Sequence, residues 1–125
     1  MTPYEHLGGE ATLRQMVERF YALMDDEPEF YGIRKLHPPD LSGSIDKLFM
    51  FLSGWLGGPS LYIERFGNPM LRARHLPFAI GEAERDQWMA CMTRAMHDCA
   101  VPEALAQKLV EAFQGTADWM RNRPG

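Results

Sequence analysis

Between residues 71 and 92 the chain gathers side chains that could hold a metal. His75 follows Arg72 and Arg74 and precedes Leu76-Pro77. The apolar pair Phe78 and Ile80 comes next, and beyond Gly81 a helical stretch carries Trp88, Cys91 and Met92. A neutral imidazole at the end of a short helix, set over an apolar cavity, suits one metal ion whose other ligands are not protein. Haem iron is the commonest such ion, and its proximal ligand is often histidine. That role needs the second ring nitrogen pinned, and the carbonyls left free where Leu76-Pro77 stops the helix could pin it. Arg72 and Arg74 are placed to meet the carboxylates of such a cofactor, for which the guanidinium fork is well matched. The competing reading is a helix-end imidazole that caps carbonyls and is favoured by the helix dipole, with both arginines merely solvated.

A second group supplies hydrogen-bond donors. Tyr21, His37, Ser44, Leu48 and Trp88 combine a phenol, an imidazole and an indole N–H with apolar neighbours. Polar tips converging on one apolar cavity are costly without a partner. Dioxygen, which draws negative charge when iron binds it, would accept from them. Ordinary aromatic packing, with the tips reaching carbonyls or solvent, accounts for the same spacing. His6, in an N-terminal turn, and His97, off the buried face of its helix, read as solvated.

Helices must position these groups, because the apolar pattern is helical almost throughout and no stretch alternates with period two. Pro3 to Leu7 reads as one turn, with Gly8-Gly9 able to supply the left-handed corner after it. Leu13, Met16, Val17, Phe20, Tyr21 and Met24 form an uninterrupted stripe ending near Asp25-Asp26. Residues 29–35 read as a short turn of helix, and Leu36-His37-Pro38-Pro39-Asp40 must be extended or turning. Ser44, Leu48, Phe51, Leu52 and Trp55 share the inner face of the next helix, widened by Ile45, Phe49 and Met50 and stopped by Gly57-Gly58-Pro59. Ser60 to Pro69 reads as a loop whose aromatics cover something. Leu71 to His75 is barely one turn, because Pro77 pushes Leu76 out of the helical region. A long helix opens at Glu82 with Arg85, Trp88, Met92, Ala95 and Cys99 on one face. The last begins at Pro102-Glu103 with the stripe Leu105, Leu109, Ala112, Phe113 and Met120. The expectation is all-α, with four substantial helices and two or three short ones.

Bulk properties limit the function classes. With 125 residues, 46% of them hydrophobic, one domain spanning 1–125 can bury a real core. A formal charge of −4 argues against nucleic acid or an anionic membrane as the main partner. No apolar run is long enough to span a bilayer and the first residues do not form a signal peptide, so a cytoplasmic location is expected. Cys91 and Cys99 would lie about 12 Å apart on one helix, too far for a disulfide. Neither belongs to a Cys-x-x-Cys-His pattern, so any haem is held without covalent attachment.

The segments Gly57-Gly58-Pro59, Tyr62, Gly67-x-Pro69-x-Leu71-Arg72-x-Arg74-His75-x-Pro77-Phe78-x-Ile80 and Glu84-Arg85-Asp86-x-Trp88-x-x-Cys91-Met92 carry a resemblance. Together with Gly8-Gly9 and Phe20-Tyr21, in order and spacing from Tyr4 to the last helix, they resemble the group II truncated haemoglobins. The resemblance implies a two-over-two helical sandwich around a non-covalent haem b, iron protoporphyrin IX. Position by position, His75 resembles the proximal ligand. Tyr21 and Trp88 resemble distal donors, His37 occupies a turn position where the family has Phe, Tyr or His, and Ser44 stands where many globins place a distal histidine. Leu48, Phe51, Leu52, Leu71, Phe78, Ile80 and Met92 resemble haem-wall positions, and Tyr62, Arg72 and Arg74 resemble contacts to the propionates.

Three function classes follow. One is a ligand-binding haemoprotein for dioxygen, nitric oxide or other small ligands, releasing oxygen slowly, with five-coordinate or weakly six-coordinate iron. Another is a haem enzyme, a nitric oxide dioxygenase or peroxidase supplied by a separate reductase. The third is a haem-free helical interaction module. The assembly expected is a monomer or homodimer.

Overall fold

The computed structural model describes residues 1–124 and contains no strand among them. Eight helices run in order: α1 (Pro3–Leu7), α2 (Glu10–Asp26), α3 (Tyr31–Arg34), α4 (Ser42–Trp55), α5 (Leu61–Phe66), α6 (Leu71–His75), α7 (Glu82–Asp98) and α8 (Glu103–Met120), with a 3₁₀ turn at Pro28–Phe30. The four long helices make two layers, α2 with α4 and α7 with α8, joined chiefly where α2 packs on α7. This is the two-over-two sandwich.

The α2 stripe is buried as its spacing requires: Leu13, Met16, Val17, Phe20 and Tyr21 all join one core with Met92, Ala95, Leu105, Leu109 and Phe113. The entry to α2 is a corner at Gly8 and Gly9, both at positive φ (114° and 80°), which residues with a Cβ adopt only with strain. Cys91 and Cys99 are free thiols. The Cys91 S–H donates to the Phe20 carbonyl at 3.2 Å, and burial pushes that thiol up to about 12, so it stays protonated.

Four expectations give way. Residues 60–69 are not a plain loop, because α5 forms there: Tyr62 is buried against Phe51 and Phe66, and that wedge holds the turn. Leu76 stays in the helical region (φ −56°, ψ −34°) despite Pro77. Its N–H bonds the Arg72 carbonyl, and the chain reverses only at the Phe78 N–H to His75 carbonyl bond. On α7 the buried face is Met89, Cys91, Met92, Ala95 and Met96, rotated away from Arg85 and Trp88, which are only partly covered. Ala112 is exposed on α8, and Trp55 at the end of α4 is also exposed although it stacks on Phe113 at 5.1 Å.

Candidate functional site

One cavity of about 440 Å³ opens between the layers. Its walls include His75 from α6, Tyr21 from α2, His37 from the turn after α3, Ser44, Leu48, Phe51 and Leu52 from α4, Tyr62 from α5, and Trp88 from α7. Leu71, Arg74, Phe78 and Ile80 line it as well.

The His75 ring is oriented by its own turn: Nδ1 lies 2.6 Å from the Leu71 carbonyl oxygen. A carbonyl only accepts, so Nδ1 carries the hydrogen, and in the neutral ring Nε2 keeps a lone pair available to the cavity. The loop that follows is stapled from the far end of the fold. Asn122 Nδ2 donates to the Phe78 carbonyl at 2.8 Å and to the His75 carbonyl at 3.2 Å. Its Oδ1 accepts from the Ile80 N–H at 3.0 Å, and its own N–H reaches the Ile80 carbonyl at 2.8 Å.

Across the cavity the donors are held as firmly. Tyr21 packs edge-on against Phe20 (5.0 Å) and against the His37 ring (5.6 Å, 77°). Burial raises the Tyr21 phenol well above its usual range, so it remains a donor. His37 Nδ1 donates to the Ile33 carbonyl at 2.8 Å. Burial first, then the nearby Arg34 and His75, hold the His37 imidazole below its ordinary value, against the Ile33 bond that opposes the shift. Trp88 is wedged between Phe20 (5.2 Å) and Phe113 (5.6 Å) with its indole on the cavity wall.

Two side chains outside the cavity wall set this side. Gln87 Oε1 accepts from the Ile33 N–H at 3.1 Å, tying the residue that orients His37 to the helix that carries Trp88. Gly32 makes room for it, since a Cβ there would come within 2.6 Å of the Gln87 amide. Arg34 pairs with Asp25 at 2.8 Å and donates to the carbonyls of Pro38 and Pro39, both at 3.0 Å, which fixes the turn beyond His37.

One imidazole with a free ring nitrogen on a largely apolar cavity could hold a flat metal cofactor. The family model for bacterial-like globins matches residues 2–122. The group 2 truncated haemoglobin YjbI of Bacillus subtilis (strain 168) is 39% identical over 121 residues, covering 97% of this chain and 89% of that protein. The chain belongs to the truncated haemoglobins. Solved structures of the family superpose closely. The cold-adapted truncated haemoglobin of the Antarctic marine bacterium Pseudoalteromonas haloplanktis TAC125 matches with a TM-score of 0.95 and 41% identity, over 98% of this chain and 99% of that one. The truncated oxygen-avid haemoglobin of Bacillus subtilis matches with a TM-score of 0.89 and 38% identity, over 98% of this chain and all of that one.

The family implies a haem, and the donor set fits one. Among the described residues no group of three or more His, Cys, Asp or Glu side chains could hold a bare metal ion. A metal at His75 would therefore need a cofactor to supply its other ligands, and the apolar walls would suit a flat porphyrin. Two expected contacts of this truncated haemoglobin lie elsewhere. Met92 is fully buried in the core and is not on the cavity wall, because the buried face of α7 is rotated away from Trp88. Arg72 turns from the cavity to Trp119, 5.4 Å above its ring, and donates to the Arg121 carbonyl at 3.4 Å. Arg74 does line the cavity, braced by the Pro69 carbonyl at 2.7 Å and lying 6.0 Å over the Tyr62 ring.

The spacing argument passed over several wall residues. Lys47 reaches the rim from α4, while Phe113, Thr116, Ala117 and Met120 bring α8 to the cavity. A signal existed for the last group. The α8 stripe reads Leu105, Leu109, Phe113 and Met120, and a Thr-Ala pair between its last two members is too small to fill a core.

Proposed function

We propose that this truncated haemoglobin binds non-covalent haem b through His75 Nε2 and holds dioxygen or another small ligand on the opposite face, releasing it slowly. The observation that carries the reading is the 2.6 Å bond from His75 Nδ1 to the Leu71 carbonyl, on the wall of a cavity shared with Tyr21 and Trp88. Bound haem supplies an iron that takes small gaseous ligands and exchanges one electron. The chain's residues do the rest. Leu48, Phe51, Leu52, Leu71, Phe78 and Ile80 exclude water from the porphyrin faces, and Lys47, Tyr62 and Arg74 meet its carboxylates at the rim. The Tyr21 hydroxyl and the Trp88 N–H donate towards the ligand; neutral His37, its one N–H held by the Ile33 carbonyl, packs edge-on against Tyr21, and Ser44 is too short to ligate strongly. A hydrogen bond to a charged acceptor contributes about 1.5–3 kcal/mol. Two of them slow dissociation by a factor on the order of 10² or more, at ~1.4 kcal/mol per decade. The oxygen-avid relative from B. subtilis supports that direction.

Slow release favours redox chemistry at the bound ligand over bulk oxygen delivery. A dioxygenase acting on nitric oxide is the second reading, favoured by the same polar distal side. Haemin titration tests the first step: the parent protein should develop a Soret band, and His75→Ala should lose most of its haem. No Soret band in the parent, or full haem retention with an unchanged ferrous spectrum in the variant, would sink the assignment. Sustained oxidation of nitric oxide with a cellular reductant separates the enzyme from the store.

A further inference from the structure

The chain carries 13 Lys and Arg against 17 Asp and Glu, yet its cations are unevenly matched. Arg14, Arg19, Arg34, Arg85, Arg94 and Arg121 each have a carboxylate oxygen within 3.9 Å. Among the described residues the other seven, Lys35, Lys47, Arg65, Arg72, Arg74, Lys108 and Arg123, make no ion pair; Lys47 and Arg74 line the cavity, and the Arg123 N–H bonds the carbonyl of Ile80 on its wall. Four of them lie over aromatic rings instead. Lys47 (5.8 Å) and Arg65 (5.3 Å) share the Phe66 ring, which packs 4.9 Å from Tyr62 under Arg74, and Arg72 covers Trp119.

The same side exposes large apolar groups. Ile63 is 56% exposed, Met70 59% and Trp119 64%. Trp55, Met70 and Trp119 wall a surface groove of about 450 Å³ beside the cavity. Met70 sits at φ 46°, a left-handed conformation that a residue with a long side chain adopts only at a cost. Exposed apolar patches of this kind mark contact sites, and Trp, Met and Arg are enriched in them.

We propose that this face, made by α5, α6 and the end of α8, docks an acidic one-electron donor protein that reduces the haem at the cavity mouth. The inference rests on haem occupying the cavity. Two propionates would neutralise Lys47 and Arg74, leaving Arg65 and Arg72 against Glu64, the one acid between residues 61 and 76, with Arg72 lying over the groove residue Trp119. The molecule as a whole is acidic, so long-range steering of an acidic donor favours the face where unpaired cations cluster on aromatic rings. The step is a single electron: ferric iron becomes ferrous and the donor loses one electron, with no bond made or broken.

The test uses the haem-loaded protein and a reduced plant-type [2Fe–2S] ferredoxin as the acidic donor. The second-order rate of ferric reduction should fall tenfold or more between about 10 mM and about 0.5 M salt, as screening removes the steering. Arg65→Glu should lower the low-salt rate at least fivefold. Lys108→Glu, the same charge change nearer the other end of α8, should alter it less than twofold. Trp119→Ala should slow reduction about equally at both salt levels. All three variants should keep the parent's Soret band and its rate with reduced lumiflavin, a small donor that needs no docking. In ¹⁵N-labelled protein, oxidised ferredoxin should shift amides of residues 61–76 and 119–123. That readout needs no electron transfer, so it separates failure of the surface from failure of the haem reading. Equal losses in Arg65→Glu and Lys108→Glu, absence of salt dependence, or shifts centred elsewhere would overturn the proposal. So would tighter binding to phosphatidylserine vesicles than to ferredoxin, or a dimer that buries Trp119.

Discussion

Replacing Asn122 by alanine tests whether the site is held together from outside the cavity. Asn122 does not line the cavity, yet its side chain makes three hydrogen bonds to His75 and the segment after it: to the His75 carbonyl (3.2 Å), the Phe78 carbonyl (2.8 Å) and the Ile80 N–H (3.0 Å). A typical net contribution is about 0.5–1.5 kcal/mol per bond. These bonds are only partly buried and water can replace the lost partner, so the lower end applies and the three sum to about 1.5 kcal/mol. If the clamp acts on the haem-bound state, that sum corresponds to roughly a tenfold faster haem loss. Transfer of haem from the ferric protein to excess apomyoglobin measures the rate. Asn122→Asp keeps the acceptor for Ile80 but sets a negative charge against two carbonyls, and it should release haem at least as fast. A haem-loss rate within twofold of the parent in both variants would refute the reasoning. So would an equal drop in the thermal stability of the apo and haem-loaded forms, since the clamp would then hold the fold and not the site.

Two further changes probe the distal side. Trp88→Phe keeps the packing against Phe20 and Phe113 but removes the N–H, so oxygen release measured by stopped flow should quicken tenfold or more; an unchanged off-rate would remove Trp88 from the network. His37 is held below its ordinary pKa by burial, Arg34 and His75, so below about pH 6.5 the unfolded chain takes a proton that the folded one refuses. Stability is therefore complete above that pH and declines as pH falls towards the folded value. His37→Phe should flatten the decline below about pH 6.5 in urea titrations, and an unchanged slope would count against a buried neutral His37.

What the residues disclosed before any coordinates is what local rules govern. The α2 stripe follows from spacing, and the carbonyl that orients His75 lies within its own turn. The helix α5 was not legible, because six residues with no cap have little reason to coil until Tyr62 finds Phe51 and Phe66. Gln87, Arg34 and Asn122 were silent for a related reason. A lone polar residue carries no pattern, and Gln87 and Asn122 find their partners more than forty positions away. Arg72 and Met92 failed differently. A one-turn helix projects its side chains widely, so Arg72 could swing to Trp119, and a small rotation of α7 took Met92 into the core.

The clamp at Asn122 also has a consequence in time. A ribosome makes α2, α4, α6 and α7 well before residue 122, so the nascent chain already carries His75 while the loop behind it lacks its hydrogen-bond partners. The proximal wall of the cavity is therefore completed last, after the rest of the sandwich exists. A chain interrupted before residue 122 would present its histidine on an unsecured strap.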